Sequence, residues 1–403
     1  MAGALSHLRV LDLSRVLAGP WAGQLLADMG AEVIKVERPG EGDDTRGWGP
    51  PFLKDKDGAA TRESAYYLSA NRGKRSVAID ITRPEGQDLV RRLAAQSDVV
   101  LENFKVGGLA KYGLDYAGLK AVKPDIVYCS ITGFGQDGPY AARAGYDFLI
   151  QGMGGLMSLT GAPGGEPMKV GVALTDIFTG MYGAFAVLAA LAHRDRTGEG
   201  QHIDLALLDV QVAVLANQAT NYLVGGIMPG RLGNAHPNIV PYQAFPTADG
   251  HVILAVGNDA QFARFCAVGG RPDLAADPRF ATNAERVRNR AILVPQLCAM
   301  LAAKPSAEWI AELEVAGVPC GPINDLAQVF DNPQVRHRGM KVSMDHPQAG
   351  TVDLLANPIR MSATPIAYDR APPALGADTD ETLGRLLGLD ADELARLAAA
   401  GIV

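Results

Sequence analysis

The chain has 403 residues, 48% of them hydrophobic and 20% charged, with a formal net charge of -7. This is ordinary globular usage with room for about two domains, and it excludes a disordered chain or a small stapled scaffold. An acidic balance gives no basic field for a nucleic-acid backbone, so no nucleic-acid partner is expected. The opening MAGALSHLRVLDLS runs straight into a strand pattern without a basic segment and apolar core. The most apolar helix is expected to fall short of the roughly 20 residues that span a bilayer, which predicts a soluble cytoplasmic or matrix-type protein with no membrane partner. Cys129, Cys266, Cys298 and Cys320 are widely spaced with no CxxC pair, so neither a zinc site nor a disulfide framework is indicated.

In chain order, RVLDLS (9–14) reads as a strand, RVLAGP (15–20) as a Gly/Pro loop, WAGQLLADMG as a helix and AEVIKVE (31–37) as a second strand. That is a β-loop-α-β unit of Rossmann type. Alternation continues through SVAIDI (76–81), the helix EGQDLVRRLAAQ, DVVLEN (98–103) and DIVYCSITG (125–133). The predicted fold class is therefore α/β, a parallel sheet with helices on both faces and the ligand beyond the carboxyl ends of the strands. After an apolar helix, the Gly/Pro/Asn-rich passage IMPGRLGNAHPNIVP marks a crossing between domains. The expected division is a large domain from 1–225 and 330–403 and a small α/β domain from 226–329. The small one is read from HVILAVGND, AQFARFCAVGG, NRAILVPQLCAMLAAK and SAEWIAELEVAG. Beyond 330 come turns, short strands and a last helix, DADELARLAAAG, returning to the first domain.

A dinucleotide loop wants G-x-G-x-x-G, whereas this loop reads Leu17-Ala18-Gly19-Pro20, and Pro20 has no N–H to give a phosphate. Seven scattered histidines without an HExxH spacing suggest no metal. There is no G-x-S-x-G elbow and no GxxxxGK[ST] loop. What remains is Asp176, directly ahead of sixteen uncharged residues. Two readings stay open for it, helix N-cap and catalyst. Arg38, at the end of the second strand, is either a solvated charge or a phosphate ligand.

Several motifs in order make the chain resemble the class III CoA-transferases, the family of formyl-CoA transferase. They are LDLSRVLAGPWAGQLLADMGAEVIKVERPGEGDDTRGWGPPF, NRGKRSVAIDI, ENFKVGGLAKYGLDY, GYDFLIQGMGG, GVALTDIFTGMYGAFAVLAAL, GVPCGPIND and RAPPALGADTDETLGRLLGL. The resemblance implies that Asp176 is the catalytic aspartate, attacking an acyl-CoA thioester to form an anhydride and then an aspartyl-CoA thioester. Backbone N–H groups at the start of the Asp176 helix are expected to steady developing oxyanions. For coenzyme A the resemblance implies contacts at Leu17 and Ala18, at Arg38, at Ile79, Asp80, Ile81 and Thr82, and at Asn103, Phe104 and Lys105. Further contacts fall at Lys111, where formyl-CoA transferase has an Arg, and at Arg143, Ala144, Gly145 and Tyr146. The passages GDDTRGWGPPF, YCSITGFGQDGP and IVPYQAF look most like the succinyl-CoA:glutarate type. A dicarboxylic acceptor needs partners for its distal carboxylate, for which Arg46, His236 and Asn238 are candidates, with Trp48 bordering the pocket.

The alternative within the same fold is an α-methylacyl-CoA racemase. Racemases resemble this chain but carry His in a G-H-D triplet, where this chain has Gly145-Tyr146-Asp147. A phenol, titrating near 10, is a poor base at neutral pH, so transfer is preferred. The resemblance also implies an obligate homodimer whose subunits are interlocked as linked rings.

Overall fold

The computed structural model describes residues 3–403. Its chain divides into two compact units, one of Met1–Leu156, Lys169–Val224 and Arg336–Val403, the other of Met157–Met168 and Gly225–Val335. The second unit therefore also takes 157–168, a Gly/Pro-rich excursion that the sequence division left with the first.

The large unit is built on six parallel strands, β1 (Arg9–Asp12), β2 (Glu32–Glu37), β3 (Lys74–Ala78), β4 (Val99–Glu102), β5 (Val127–Thr132) and β6 (His202–Ala206). Their order across the sheet is β3-β2-β1-β4-β5-β6, the doubly wound order in which the chain reverses direction between β1 and β4. Alternate residues feed opposite faces, as strand geometry requires. Leu11, Ile34, Val77 and Val100 pack with α2 (Pro84–Ala95) and the closing helices α5 (Thr379–Leu387) and α6 (Ala391–Ala399). Val10, Val33, Val99 and Leu101 pack on the other face with α1 (Ala18–Asp28) and α4 (Leu174–Thr197). Full burial of each such side chain stabilises by about 1.5–3 kcal/mol. The last helix does return to the first unit, through Leu397.

At 24 residues α4 is longer than expected, and by length and composition alone it could cross a membrane. Here Val187, Ala190 and Leu191 bury it against the sheet. It crosses α1 closely because Gly180 carries no side chain; a Cβ there would lie 2.7 Å from the Ala18 carbonyl oxygen.

The second unit has antiparallel strands, Tyr242–Pro246 against His251–Ala255 against Cys320–Gly321. Phe245, Phe262, Phe265, Leu297 and Trp309 fill its core. Arg286 is fully buried there, donating to the carbonyls of Val240 and Phe280 and to Asp259.

Candidate active site

Two cavities open where the chain reverses at the carboxyl ends of β1 and β4, the place open α/β sheets reserve for ligands. One, of about 170 Å³, is lined by Arg15–Ala18 after β1, Asn103–Val106 after β4, Ile131–Gly133 at the end of β5, Ala141, Arg143–Tyr146 and Asp176. The other, of about 550 Å³, is lined by Arg38, Ile79–Thr82, Phe104, Lys105, Gly108, Lys111 and Tyr112. Arg15, Asp44, Phe104 and Lys105 line both. Every coenzyme A contact expected from the sequence thus lines one of these two cavities. The larger gathers Arg38, Lys105 and Lys111, cations suited to phosphates.

Asp176 is 8% exposed. Among the described residues, no hydrogen bond to its carboxylate is found. Burial first, and the charge of Asp147 second, push its pKa up to about 7. It is not the helix cap. The N-cap residue of α4 is Ala173, and Asp176 is the third helical residue. The cap comes instead from Asp147, first residue of α3 (Asp147–Met153), whose Oδ1 accepts from the Thr175 N–H at 2.9 Å and the Asp176 N–H at 3.4 Å. Its Oδ2 accepts from Gln151 Nε2 at 2.7 Å. The expectation that the amides of this helix start would hold an oxyanion is therefore corrected, because Asp147 occupies those of Thr175 and Asp176, and Ile177 donates to Ala173. The first turn of α1, with no side-chain cap, is the helix start that lines the pocket through Leu17 and Ala18.

The first loop is held from below. Val16 has φ 72, a conformation costly for a β-branched residue, and its N–H donates to Asp43 Oδ1 at 3.2 Å. Burial would raise the Asp43 carboxyl, but the Lys35 charge and hydrogen bonds from Lys35 and Thr45 bring it down to about 2. Asn103 clamps the same loop, accepting from the Arg15 N–H and donating to the Arg15 carbonyl. The sequence shows Asp147 only as the last member of the Gly145-Tyr146-Asp147 triplet, with no capping role, and does not mark Val16 at all. A positive φ at valine leaves no local signal, and a cap supplied from another helix has no fixed spacing.

Arg46 requires a correction. It is 5% exposed, its Nε and Nη2 bind Glu37, its Nη1 forks onto Glu63 at 2.8 and 2.7 Å, and Nη2 also reaches Tyr67 and the Pro373 carbonyl. All its N–H groups are consumed, which leaves none for a substrate. Trp48 is 45% exposed and meets Tyr66 edge-on at 5.1 Å. The Tyr66 phenol is raised to about 12, by burial and then by the charges of Asp176 and Asp147, which places it in their neighbourhood. His236 and Asn238 lie in the second unit. There the His236 ring stands 5.3 Å from that of Tyr242, its Nδ1 accepts from the Asn238 N–H, and Arg290 grips the carbonyls of His236 and Pro237.

The family model of CoA-transferase family III matches residues 5–379. The chain belongs to that family. It is 55% identical to a succinate–glutarate CoA-transferase of Agrobacterium fabrum over 95% of both chains. It is 45% identical to a succinyl-CoA:glutarate CoA-transferase of Mus musculus, over 99% of this chain and 90% of that one. A crystal structure of a CAIB/BAIF family protein from Brucella suis superposes with a TM-score of 0.85 at 52% identity, covering 96% of this chain and 100% of that one. This family III CoA-transferase is thus an enzyme of the transferase class acting on CoA thioesters, as its motifs lead one to expect.

Proposed function

We propose that this family III CoA-transferase moves CoA from succinyl-CoA to glutarate, with Asp176 as the covalent catalyst. The observation that carries the mechanism is a buried, unpaired carboxylate at the wall of a cavity adjoining a cation-lined one. The relatives' names support the substrates. A carboxylate oxygen of Asp176 attacks the thioester carbonyl, and the C–S bond breaks to release CoA thiolate, leaving a mixed anhydride. The thiolate then attacks the aspartyl carbonyl and expels succinate. Glutarate attacks the resulting aspartyl thioester, expelling thiolate, which finally takes the glutaryl group and restores the Asp176 carboxylate. No proton need be gained or lost in the cycle. Exclusion of water protects each intermediate, and the burial of Asp176 serves that end.

We further propose a cytoplasmic homodimer, interlocked as in the family resemblance. Its support is the apolar face left bare on helices that pack on one another: Phe148 at 60% exposed, Phe185 at 71% and Val212 at 51%. Light scattering should return twice the chain mass.

The test is to incubate the purified protein with succinyl-CoA and a panel of free acids (glutarate, mesaconate, itaconate, malate, oxalate) and follow new CoA esters by mass spectrometry. Glutaryl-CoA made by the unmodified protein and not by Asp176→Ala supports the reading. No new ester, together with α-proton exchange in a branched acyl-CoA, would establish the racemase instead.

A further inference from the structure

With Arg46 sealed inside an ion-pair cluster, the distal carboxylate of a dicarboxylic acyl group needs another partner. The Asp176 cavity offers three cations, Arg15, Lys105 and Arg143. Arg15 is bonded to Asp44 at 2.9 Å. Lys105 also lines the larger cavity beside Arg38 and Lys111, where phosphates are served. Arg143 lines the Asp176 cavity and not the larger one. Its guanidinium lies 4.5 Å from the ring centre of Tyr140 and 5.2 Å from that of Phe134, and one Nη stands 3.9 Å from the Met153 sulfur. No carboxylate within ion-pair distance of it is found among the described residues. Its backbone N–H donates to the Tyr140 carbonyl at 2.9 Å, and two residues on Gly145 is pressed on Gly133 so closely that a Cβ would sit 2.5 Å from the Gly133 Cα.

A planar guanidinium held against aromatic faces, with its N–H edges free of any acid, is a fork for one carboxylate. Arg15 is already paired with Asp44, which leaves the Asp176 carboxylate on the wall, with Asp147 behind it, to repel an incoming dianion. A cation not already bonded to an acid offsets that repulsion.

We propose that Arg143 determines specificity for dicarboxylates, its guanidinium binding the distal carboxylate of the acyl group in donor and acceptor alike. The assignment rests on the transferase reading above, and it moves Arg143 from the coenzyme A contacts to the acyl contacts. The test compares kcat/KM for pairs of equal length, succinyl-CoA against butyryl-CoA as donors and glutarate against valerate as acceptors, in the unmodified protein, Arg143→Gln and Arg143→Lys. The glutamine variant should lose the dicarboxylate preference by roughly 10- to 100-fold in both pairs, the worth of a hydrogen bond between charged groups, and lysine should recover part of it. If all substrates slow equally, so that the preference stands, Arg143 contacts coenzyme A and the proposal is wrong; an unchanged enzyme refutes it too. If the unmodified protein forms no ester from any pair, the transferase reading itself falls and takes this proposal with it.

Discussion

The cost of holding Asp176 in its site can be measured by replacing it with asparagine. The carboxyl titrates at 3.8 in an unfolded chain and at about 7 in the fold, for reasons of burial and then of Asp147. A raised carboxyl pKa means that the folded state holds the proton longer than the unfolded one. The associated stability is fully present below pH 3.8 and is lost as pH rises through about 7. At about 1.4 kcal/mol per pH unit the whole loss is on the order of 4 kcal/mol, of which about 3 falls between pH 5 and pH 8. Asparagine has nearly the same shape and no charge, so it escapes this term. Asp176→Asn should be inactive yet more stable than the unmodified protein at pH 8, and the advantage should shrink by about 3 kcal/mol at pH 5. At about 1–2 °C per kcal/mol for a chain of this size, that is a change of roughly 3–6 °C in the Tm difference. Thermal or urea unfolding of both proteins across this range reads it directly. A stability difference that does not vary with pH, or one that grows toward pH 5, would refute the account of a buried, unpaired nucleophile.

Asp147→Asn keeps an oxygen to cap α4 but removes the neighbouring negative charge, so the Asp176 pKa falls and the acid limb of the kcat/KM profile moves to lower pH; an unmoved limb counts against the coupling. Asp147→Ala should show the same movement and in addition lose about 1 kcal/mol in urea unfolding, the worth of a helix cap. Arg46→Met leaves Glu37 and Glu63 buried without their cation, and about 3–5 kcal/mol of stability should go in the same assay. The KM for glutarate should hold in the Arg46→Met protein that remains folded, and a selective rise in that KM would return Arg46 to the substrate site.

The sheet was legible because a doubly covered parallel strand has few ways to be written: Val10, Leu11, Val33, Ile34, Val99 and Val100 are apolar on both faces, and Gly/Pro turns separate the runs. Asp176 is legible from its own neighbourhood only as a pair of readings, the motif resemblance favours the catalyst, and the capping half is wrong for a physical reason. A cap is inferred from a side chain local to the helix start, whereas Asp147 reaches α4 from a helix 29 residues upstream. Arg46 misled in the same way. Beside Trp48 in a Gly-rich turn it looks exposed, but Glu37 and Glu63, 9 and 17 residues away, converge on it only once β2 and the following hairpin are folded. Local sequence reports periodicity and turn chemistry, and it is silent on which charges will meet. The small unit shows the same boundary, since its helices were readable from apolar spacing but its antiparallel strand pairing was not.

On the anhydride and thioester route proposed above, the raised pKa of Asp176 bears on which covalent species waits longest on the enzyme. In either anhydride the thiolate can attack two carbonyls, expelling the substrate acid or Asp176. The substrate acids are ordinary carboxylic acids with pKa values of about 4–5, while Asp176 sits at about 7. The weaker base leaves more readily, so each anhydride partitions toward attack on the aspartyl carbonyl and expulsion of the free acid. Both anhydrides therefore drain into the aspartyl-CoA thioester, which should be the species that accumulates, with glutarate needed to draw it forward. Protein quenched during turnover and weighed intact should carry the mass of CoA less water on Asp176. Finding Asp176 unmodified throughout turnover would show that Asp176 is the better leaving group, contrary to the electrostatics of its site.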